Sequence, residues 1–345
     1  MNGGPVTVYL SMIISGINDI DERDMTVVIE VYFRVLWNDP RISFPEDLFN
    51  DTQDAVPVSY SLLEDLNLWR PDPYIERVHR MNSASLIQPF GGIQLQRDGR
   101  IFWGQMFVIK LGCPMFFHDF PFDVQVCKIE MASYFHSVRD MSFAWHGDGI
   151  SASPSIEKLL GNYEFAFVQE NVTSCKTIGY VFGKYPCLRS KMTFKRRYRN
   201  YLLGVYVPSS LFVVVSWASF FWPAEAIPAR TVLLITALLT TISLYSGVQQ
   251  MTPAANYTRA IDTWFFACIM AVAMALFQYA IILQIRNRQK LVVSTRVKPM
   301  NSSESTDDAR DYWLAMERKV ELGAKILYVL AFLLFNLVYW VRYLM

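Results

Sequence analysis

Pro228 to Gln250 reads PARTVLLITALLTTISLYSGVQQ. Built as an α-helix at ~1.5 Å per residue, this stretch is about 34 Å long, enough to cross a bilayer. Its hydroxyl content sets it apart from a lipid-facing span. Steps of four and three from Val232 pass through Thr236, Leu239, Ser243, Ser246 and Gln250, a mostly polar stripe on one helix face. Leu233, Leu234, Ile235, Leu238, Ile242 and Leu244 occupy the other faces. The pattern predicts a helix with lipid or protein behind it and water in front. Thr240 and Thr241 lie off the stripe, so spacing alone leaves a second reading open, a packed helix whose hydroxyls bond back to the preceding turn.

Working outward, three more apolar stretches flank this one, and the four fall at roughly 201–222, 231–248, 261–285 and 324–343. The preceding ~195 residues contain no such run and read as a polar, aromatic-rich globular domain. The chain has 345 residues, 52% of them hydrophobic, which is high for a soluble protein. A formal net charge of +1 argues against a nucleic-acid binder, whose domain normally carries a strong basic surplus. An enzyme is not indicated either. There is no HExxH, P-loop or Gly-rich dinucleotide motif, and His79, His118, His136 and His146 have no neighbours suggesting a catalytic group. No cofactor or metal is expected, and a carrier would need an internal repeat of spans that is not seen.

The polar half reads mainly as strands, among them Thr26 to Leu36, Ile101 to Leu111 and Tyr163 to Val168, separated by Asn, Asp, Gly and Pro clusters. Short strands with frequent turns predict a β-sandwich. Cys113, Cys127, Cys175 and Cys187 lie in this half and suggest two disulfides, the local pairing being Cys113 with Cys127 and Cys175 with Cys187. Neither pair has the close spacing of a zinc knuckle. Asn50-Asp51-Thr52 and Asn171-Val172-Thr173 are glycosylation sequons, which fit an exported domain. The amino terminus, MNGGPVTVYL, shows no basic region followed by an apolar run, so a secretory signal is not expected within it.

Between the third and fourth apolar stretches, Arg286, Arg288, Lys290, Arg296 and Lys298 make the connection basic, which places it in the cytoplasm. Four spans then put both termini outside. Within this connection MNSSESTDD is expected to be disordered, and ARDYWLAMERKVEL has helical spacing leading into the last span. The expected division is 1–198 for an extracellular sandwich, 199–285 for three spans, 286–320 for the cytoplasmic loop and pre-span helix, and 321–345 for the last span and extracellular carboxyl terminus.

Several motifs resemble one family. Cys113 and Cys127 have thirteen residues between them, with Phe120-Pro121-Phe122-Asp123 inside. Trp37-Asn38-Asp39-Pro40-Arg41 and Leu68-Trp69-Arg70-Pro71-Asp72 precede this loop, Pro208 sits in the first span, and Pro228-Ala229-Arg230 opens the second. Over nearly its whole length the chain resembles a subunit of the Cys-loop pentameric ligand-gated ion channels, nearest the glycine and GABA type A receptor branch. Cys175 and Cys187 are similar to the additional loop C disulfide of glycine receptors.

The resemblance implies an immunoglobulin-like extracellular β-sandwich followed by an all-α four-helix transmembrane bundle. It also implies a homo- or hetero-pentamer in the lipid of the plasma membrane, the second span of each subunit lining a central pore. Arg230 would place positive charge at the cytoplasmic mouth, and Ala229 stands where cation-conducting relatives carry a glutamate, so chloride is the expected ion. Arg230 could instead turn away toward carbonyls or Glu225. Leu239 is the expected gate, between Thr236 and Ser243, and Val232 gives a second constriction, with Ser246 further out. Gln249 and Ala254 replace basic residues at the outer end, whereas Tyr257 and Asp262 are retained.

For the ligand, the resemblance implies a site between two subunits. Tyr74, Tyr134, Tyr180 and Tyr185 would form the principal face, with Tyr32 and Arg34 on the complementary face. Tyrosines can box an ammonium and Arg34 can take a carboxylate, which suits a small amino acid or amine agonist. Ala132 stands where those receptors place a glutamate, and Gly104 replaces a hydroxyl residue beside the carboxylate, so an amine, another small anion or a subunit without its own agonist stays open. Glu22, Asp123 and Arg196 are the expected charged cluster that couples ligand binding to the pore.

Overall fold

The computed structural model describes residues 4–39, 55–58, 69–85, 90–154, 156, 163–170, 174–175, 184–223, 226–252, 255–295 and 304–344. Asn50, Asn171, Tyr180, Glu225 and Ala254 lie outside the described residues. The chain forms two compact units, one of residues 1–116 and 124–196, the other of residues 117–123 and 197–345.

The first unit is the β-sandwich. One sheet has seven strands, β1 (Val6–Asp21), β2 (Thr26–Asn38), β3 (Ala55–Val58), β5 (Val78–Ser83), β6 (Gly91–Gln96), β7 (Arg100–Gly112) and β9 (Met141–Ala152), in the order β3-β6-β7-β2-β1-β9 with β5 also on β7. The other has five strands, β4 (Pro73–Ile75), β8 (Val124–Ser133), β10 (Tyr163–Glu170), β11 (Ser174–Cys175) and β12 (Tyr185–Arg196), in the order β10-β12-β8-β4 with β11 on β12. Alternation in the sequence decides which way each strand faces. In β2, Val27, Ile29, Val31, Phe33 and Val35 are buried between positions that look outward. Cys127, Ile129 and Met131 do the same in β8. The larger sheet is mixed, because β1 pairs antiparallel with β2 and parallel with β9. All three expected strands are found within β2, β7 and β10.

Cys113 and Cys127 are joined. At the same position the buried Gln125 side chain accepts from Phe116 N–H at 2.9 Å and donates to Phe116 O at 2.8 Å, so the loop's base is closed by both a covalent bond and a doubly used amide. Cys187 is also disulfide-bonded. Cys175 sits in β11 opposite Tyr185, but its side chain lies outside the described part.

The second unit contains four helices of membrane length, α1 (Arg199–Phe221), α2 (Ile227–Met251), α3 (Ala260–Thr295) and α4 (Glu304–Leu344). In α1 the turn Leu202–Tyr206 is π-helical and leads into Pro208, whose missing N–H breaks the regular ladder there. Trp264, Tyr206, Tyr279 and Phe220 are fully buried among the helices. Their polar atoms mostly find partners inside the bundle, as an apolar surrounding requires. The Tyr206 and Tyr339 hydroxyls are 2.8 Å apart, Tyr339 donates to Ala260 O at 3.1 Å, and Trp264 Nε1 donates to Ser209 Oγ at 2.9 Å.

One expectation is corrected here. The segment containing MNSSESTDD is not irregular throughout, because α3 continues to Thr295 and α4 already begins at Glu304. Glu304 to Asp308 of that segment lie within α4. The two helices are further held together by the Arg286–Glu317 ion pair at 2.8 Å.

Candidate functional site

The face of α2 predicted to meet water is uncovered in the subunit. Val232, Thr236, Leu239, Ser243, Ser246 and Gln250 are all exposed, while Arg230, Leu234, Ala237, Thr241 and Val248 form the buried back of the helix. Exposed Ile235, Thr240 and Ile242 widen the uncovered face to either side of the stripe. The hydroxyls also bond back to the preceding turn, Thr236 to Val232 O at 2.8 Å and Thr241 to Ala237 O at 2.7 Å. Both sequence readings of this helix therefore describe something real, and exposure is what separates the stripe from the packed Thr241.

Arg230 departs from its expected position. Its side chain is 0% exposed and Nη1 donates to Glu321 Oε1 of α4 at 3.3 Å. The guanidinium carbon lies 4.5 Å from the centre of the Tyr279 ring of α3. The cause is helical phase. Arg230 precedes Val232 by two positions, about 200° around the helix, which turns it away from the stripe. At the carboxyl end of α2, Gln249 donates to Asp262 Oδ1 at 3.1 Å and to Tyr245 Oη at 2.6 Å.

The residues expected to bind ligand divide between the two sheets. Tyr74 in β4 and Tyr134 just beyond β8 meet edge to face, ring centres 6.1 Å apart, with Tyr134 67% exposed. Asp72 sets this arrangement, accepting from Ser133 Oγ at 2.8 Å and from Phe135 N–H at 2.7 Å on either side of Tyr134. Tyr185 opens β12, and Tyr180 is not described. Tyr32 and Arg34 share one outward face of β2 in the other sheet, opposite Met106 and Gly104 of β7. Within a single subunit the two sets therefore belong to different sheets. Ala132 is fully buried and packs with Cys187 beside Tyr74, so no carboxylate stands there for an ammonium. Nearby, burial and the Glu130 charge push the Glu76 carboxyl above the usual range, against the opposing pull of Arg77, the Tyr74 hydroxyl and Arg189.

Of the expected coupling cluster, the first unit brings two members together. Arg196 Nη1 donates to Glu22 Oε1 at 2.6 Å, and Arg196 is 4% exposed. Tyr163, which the sequence did not single out, donates its hydroxyl to the same Glu22 oxygen and lies under the guanidinium at 4.9 Å. Asp123 is buried and belongs to the second unit. Removing the guanidinium leaves Glu22 with its principal partner gone. Arg196→Ala is therefore expected to lower stability by about 3 kcal/mol, in the range for breaking a buried pair, and to reduce ligand-evoked current. Surface biotinylation alongside current recording checks both, and an unchanged current would remove Arg196 from coupling.

Residues Phe117 to Asp123, the tip of the disulfide loop, are packed into the helical unit. Ala260 N–H donates to His118 O at 2.9 Å and Ile261 N–H to Phe120 O at 3.2 Å, so loop carbonyls satisfy two donors in the first turn of α3. Phe117 N–H donates to Tyr257 Oη at 2.8 Å, and His118 stacks on Tyr257 at 3.9 Å. Phe122 is ringed by Tyr198, Tyr206, Trp340 and Tyr343, with centres 5.1, 6.1, 6.0 and 6.1 Å away. An aromatic residue inside the loop and the Tyr and Trp density near the ends of the first and fourth spans are the only sequence signals for this contact.

A β-sandwich joined to four membrane-length helices, one with a hydroxyl-bearing face uncovered, is the architecture of a channel subunit carrying its own sensing domain. Residues 1–198 match the neurotransmitter-gated ion-channel ligand binding domain, and residues 205–298 match the neurotransmitter-gated ion-channel transmembrane region. The chain belongs to the neurotransmitter-gated ion-channel family, the Cys-loop receptors. It is a multi-pass channel subunit and not an enzyme, and the family implies ligand binding and pentameric assembly.

Proposed function

We propose that five such subunits surround a chloride-conducting pore in the plasma membrane, with both termini outside, opened by a small ligand bound between neighbouring extracellular domains. The observation that carries the pore assignment is the uncovered α2 stripe from Val232 to Gln250, set against a packed back face. Anion selectivity is supported by the absence of acidic side chains from Ile227 to Met251 and by Ala229 in the first turn. The amino end of α2 carries the positive end of the helix dipole, which favours a halide over a cation.

Expression of the full chain in oocytes, with reversal potential followed as chloride is replaced, tests this directly. A reversal that tracks chloride supports the proposal, and one that tracks sodium overturns it.

The agonist favoured by the aromatic pair Tyr74 and Tyr134 is a small amine or amino acid, its ammonium held by ring faces at ~0.5 to 2 kcal/mol per good contact. Because Ala132 offers that ammonium no charge, an amine-gated channel, or an accessory subunit that does not conduct alone, is the second reading. Arg34 discriminates between amino acids and simple amines. Arg34→Gln should raise the half-maximal concentration of a carboxylate-bearing agonist at least ~10-fold while leaving a simple amine within about 2-fold, from the loss of one bidentate pair. Equal losses for both would show that Arg34 shapes the strand and does not read the carboxylate.

A further inference from the structure

We infer that Glu321, on the fourth helix, is a positioning residue for permeation: it fixes the Arg230 guanidinium behind the pore-facing helix and determines how much of its charge the inner mouth feels. This rests on the reading of α2 as the pore lining. The ion pair crosses from α2 to α4, Arg230 Nη1 to Glu321 Oε1 at 3.3 Å, with the guanidinium against the Tyr279 ring of α3. One turn earlier on α4, Glu317 holds Arg286 of α3 at 2.8 Å. Two carboxylates four residues apart thus tie one face of α4 to both neighbouring helices.

Two features make the pair matter for permeation. Arg230 carries the only charge between Ile227 and Met251, so whatever neutralises it decides the net charge of the inner end of α2. Its Nε and Nη2, fully buried, have no hydrogen-bond partner among the described residues, and neither does the Tyr279 hydroxyl. Among the described residues, Glu321 is therefore its anionic partner. A guanidinium with a single long bond is held chiefly by charge, and the couple seen from the pore is close to neutral. Five couples surround the mouth in a pentamer, and removing one member of each exposes five charges of the other sign.

The test is a charge cycle in full-length chains carrying Leu239→Thr, used to give current without an agonist. If that background carries none, the same cycle is read as chloride and sodium flux in proteoliposomes of the purified pentamer. Arg230→Gln strands Glu321 and should shift the chloride-to-sodium permeability ratio toward sodium by about 5-fold or more. Glu321→Gln strands Arg230 and should raise chloride conductance by about 2-fold. Glu321→Asp, which keeps the charge, should recover most of the parent behaviour. The double variant Arg230→Gln with Glu321→Gln removes both charges and should return to within about 2-fold of the parent ratio.

A double variant that stays with Arg230→Gln overturns the inference, because Arg230 would then act on ions without reference to Glu321. If Glu321→Gln fails to reach the surface, comparison of Arg230→Gln with the double variant still decides, since the double has no unpaired buried charge. A parent channel whose reversal follows sodium defeats the anion reading, while recovery in the double variant continues to report on the couple.

Discussion

Leu239→Thr is expected to produce a standing current in the absence of any added ligand. Leu239 is 58% exposed in the subunit, so the described residues of its own chain leave most of it uncovered, and Thr236 and Ser243 flank it on the same face. In a pentamer five such leucines form an apolar ring between hydroxyl rings, and a narrow apolar ring excludes water. Replacing an isobutyl group by a hydroxyl-bearing one removes about 1 kcal/mol of apolar contact per subunit in the closed state, on the order of 5 kcal/mol for the ring. That corresponds to roughly three and a half decades in the closed-to-open equilibrium, at ~1.4 kcal/mol per decade. Holding current under voltage clamp, normalised to surface protein, measures it. Val232→Thr serves as the comparison, and if it yields the standing current while Leu239→Thr does not, the constriction lies about two turns closer to the amino end of α2.

The same stripe shows why this part of the protein is legible in sequence. A helix repeats every 3.6 residues, so Val232, Thr236, Leu239, Ser243 and Ser246 fall on one face whatever surrounds them, and polarity selects that face as the wet one. Strands are legible for the same reason, as Val27, Ile29, Val31, Phe33 and Val35 alternate with outward positions in β2. Arg230 was legible as a charge but not as a position. Its phase, 200° from Val232, could be read from the sequence in hindsight, whereas its partner Glu321 is 91 residues away and is found only when α2 and α4 pack. Glu321 did leave a signal, an acidic residue at the edge of an apolar span, which is a reason to look for a buried counter-charge. Tyr163 left none. Its contact with Glu22 spans 141 residues, and a tyrosine in an alternating strand looks like any other.

The expectation for MNSSESTDD fails at Glu304 to Asp308, which are helical, for a different reason. Composition alone marks NSSESTDD as unable to bury a core, which is true, but a helix end needs no core of its own when a neighbour supports it. The Arg286–Glu317 pair supplies part of that support.

Phe122→Ala is expected to cause a large stability loss in the helical unit. Phe122 touches four aromatic rings, Tyr198 and Tyr206 at the start of the first span and Trp340 and Tyr343 at the end of the fourth. The ring that stacks on it most nearly parallel is Tyr343, at 19°. Truncating a packed Phe costs about 3–5 kcal/mol, from lost transfer energy and from the cavity left behind. Here the cavity would open between the start of the first helix and the end of the fourth, where Phe122 meets rings of both. Thermal unfolding of the detergent-solubilised pentamer should therefore shift down by at least ~5 °C, using the usual dependence of midpoint on free energy. Phe122→Leu keeps apolar volume but not the ring contacts and should recover about half, aromatic pairs being worth ~0.5–1.5 kcal/mol beyond area. In the Leu239→Thr background the standing current per surface channel should persist, since the gate proposed on α2 does not contain this contact. A midpoint unchanged by Phe122→Ala would mean that the loop tip rests on the helices through its backbone carbonyls, His118 and Phe120 on the first turn of α3, and not through its rings.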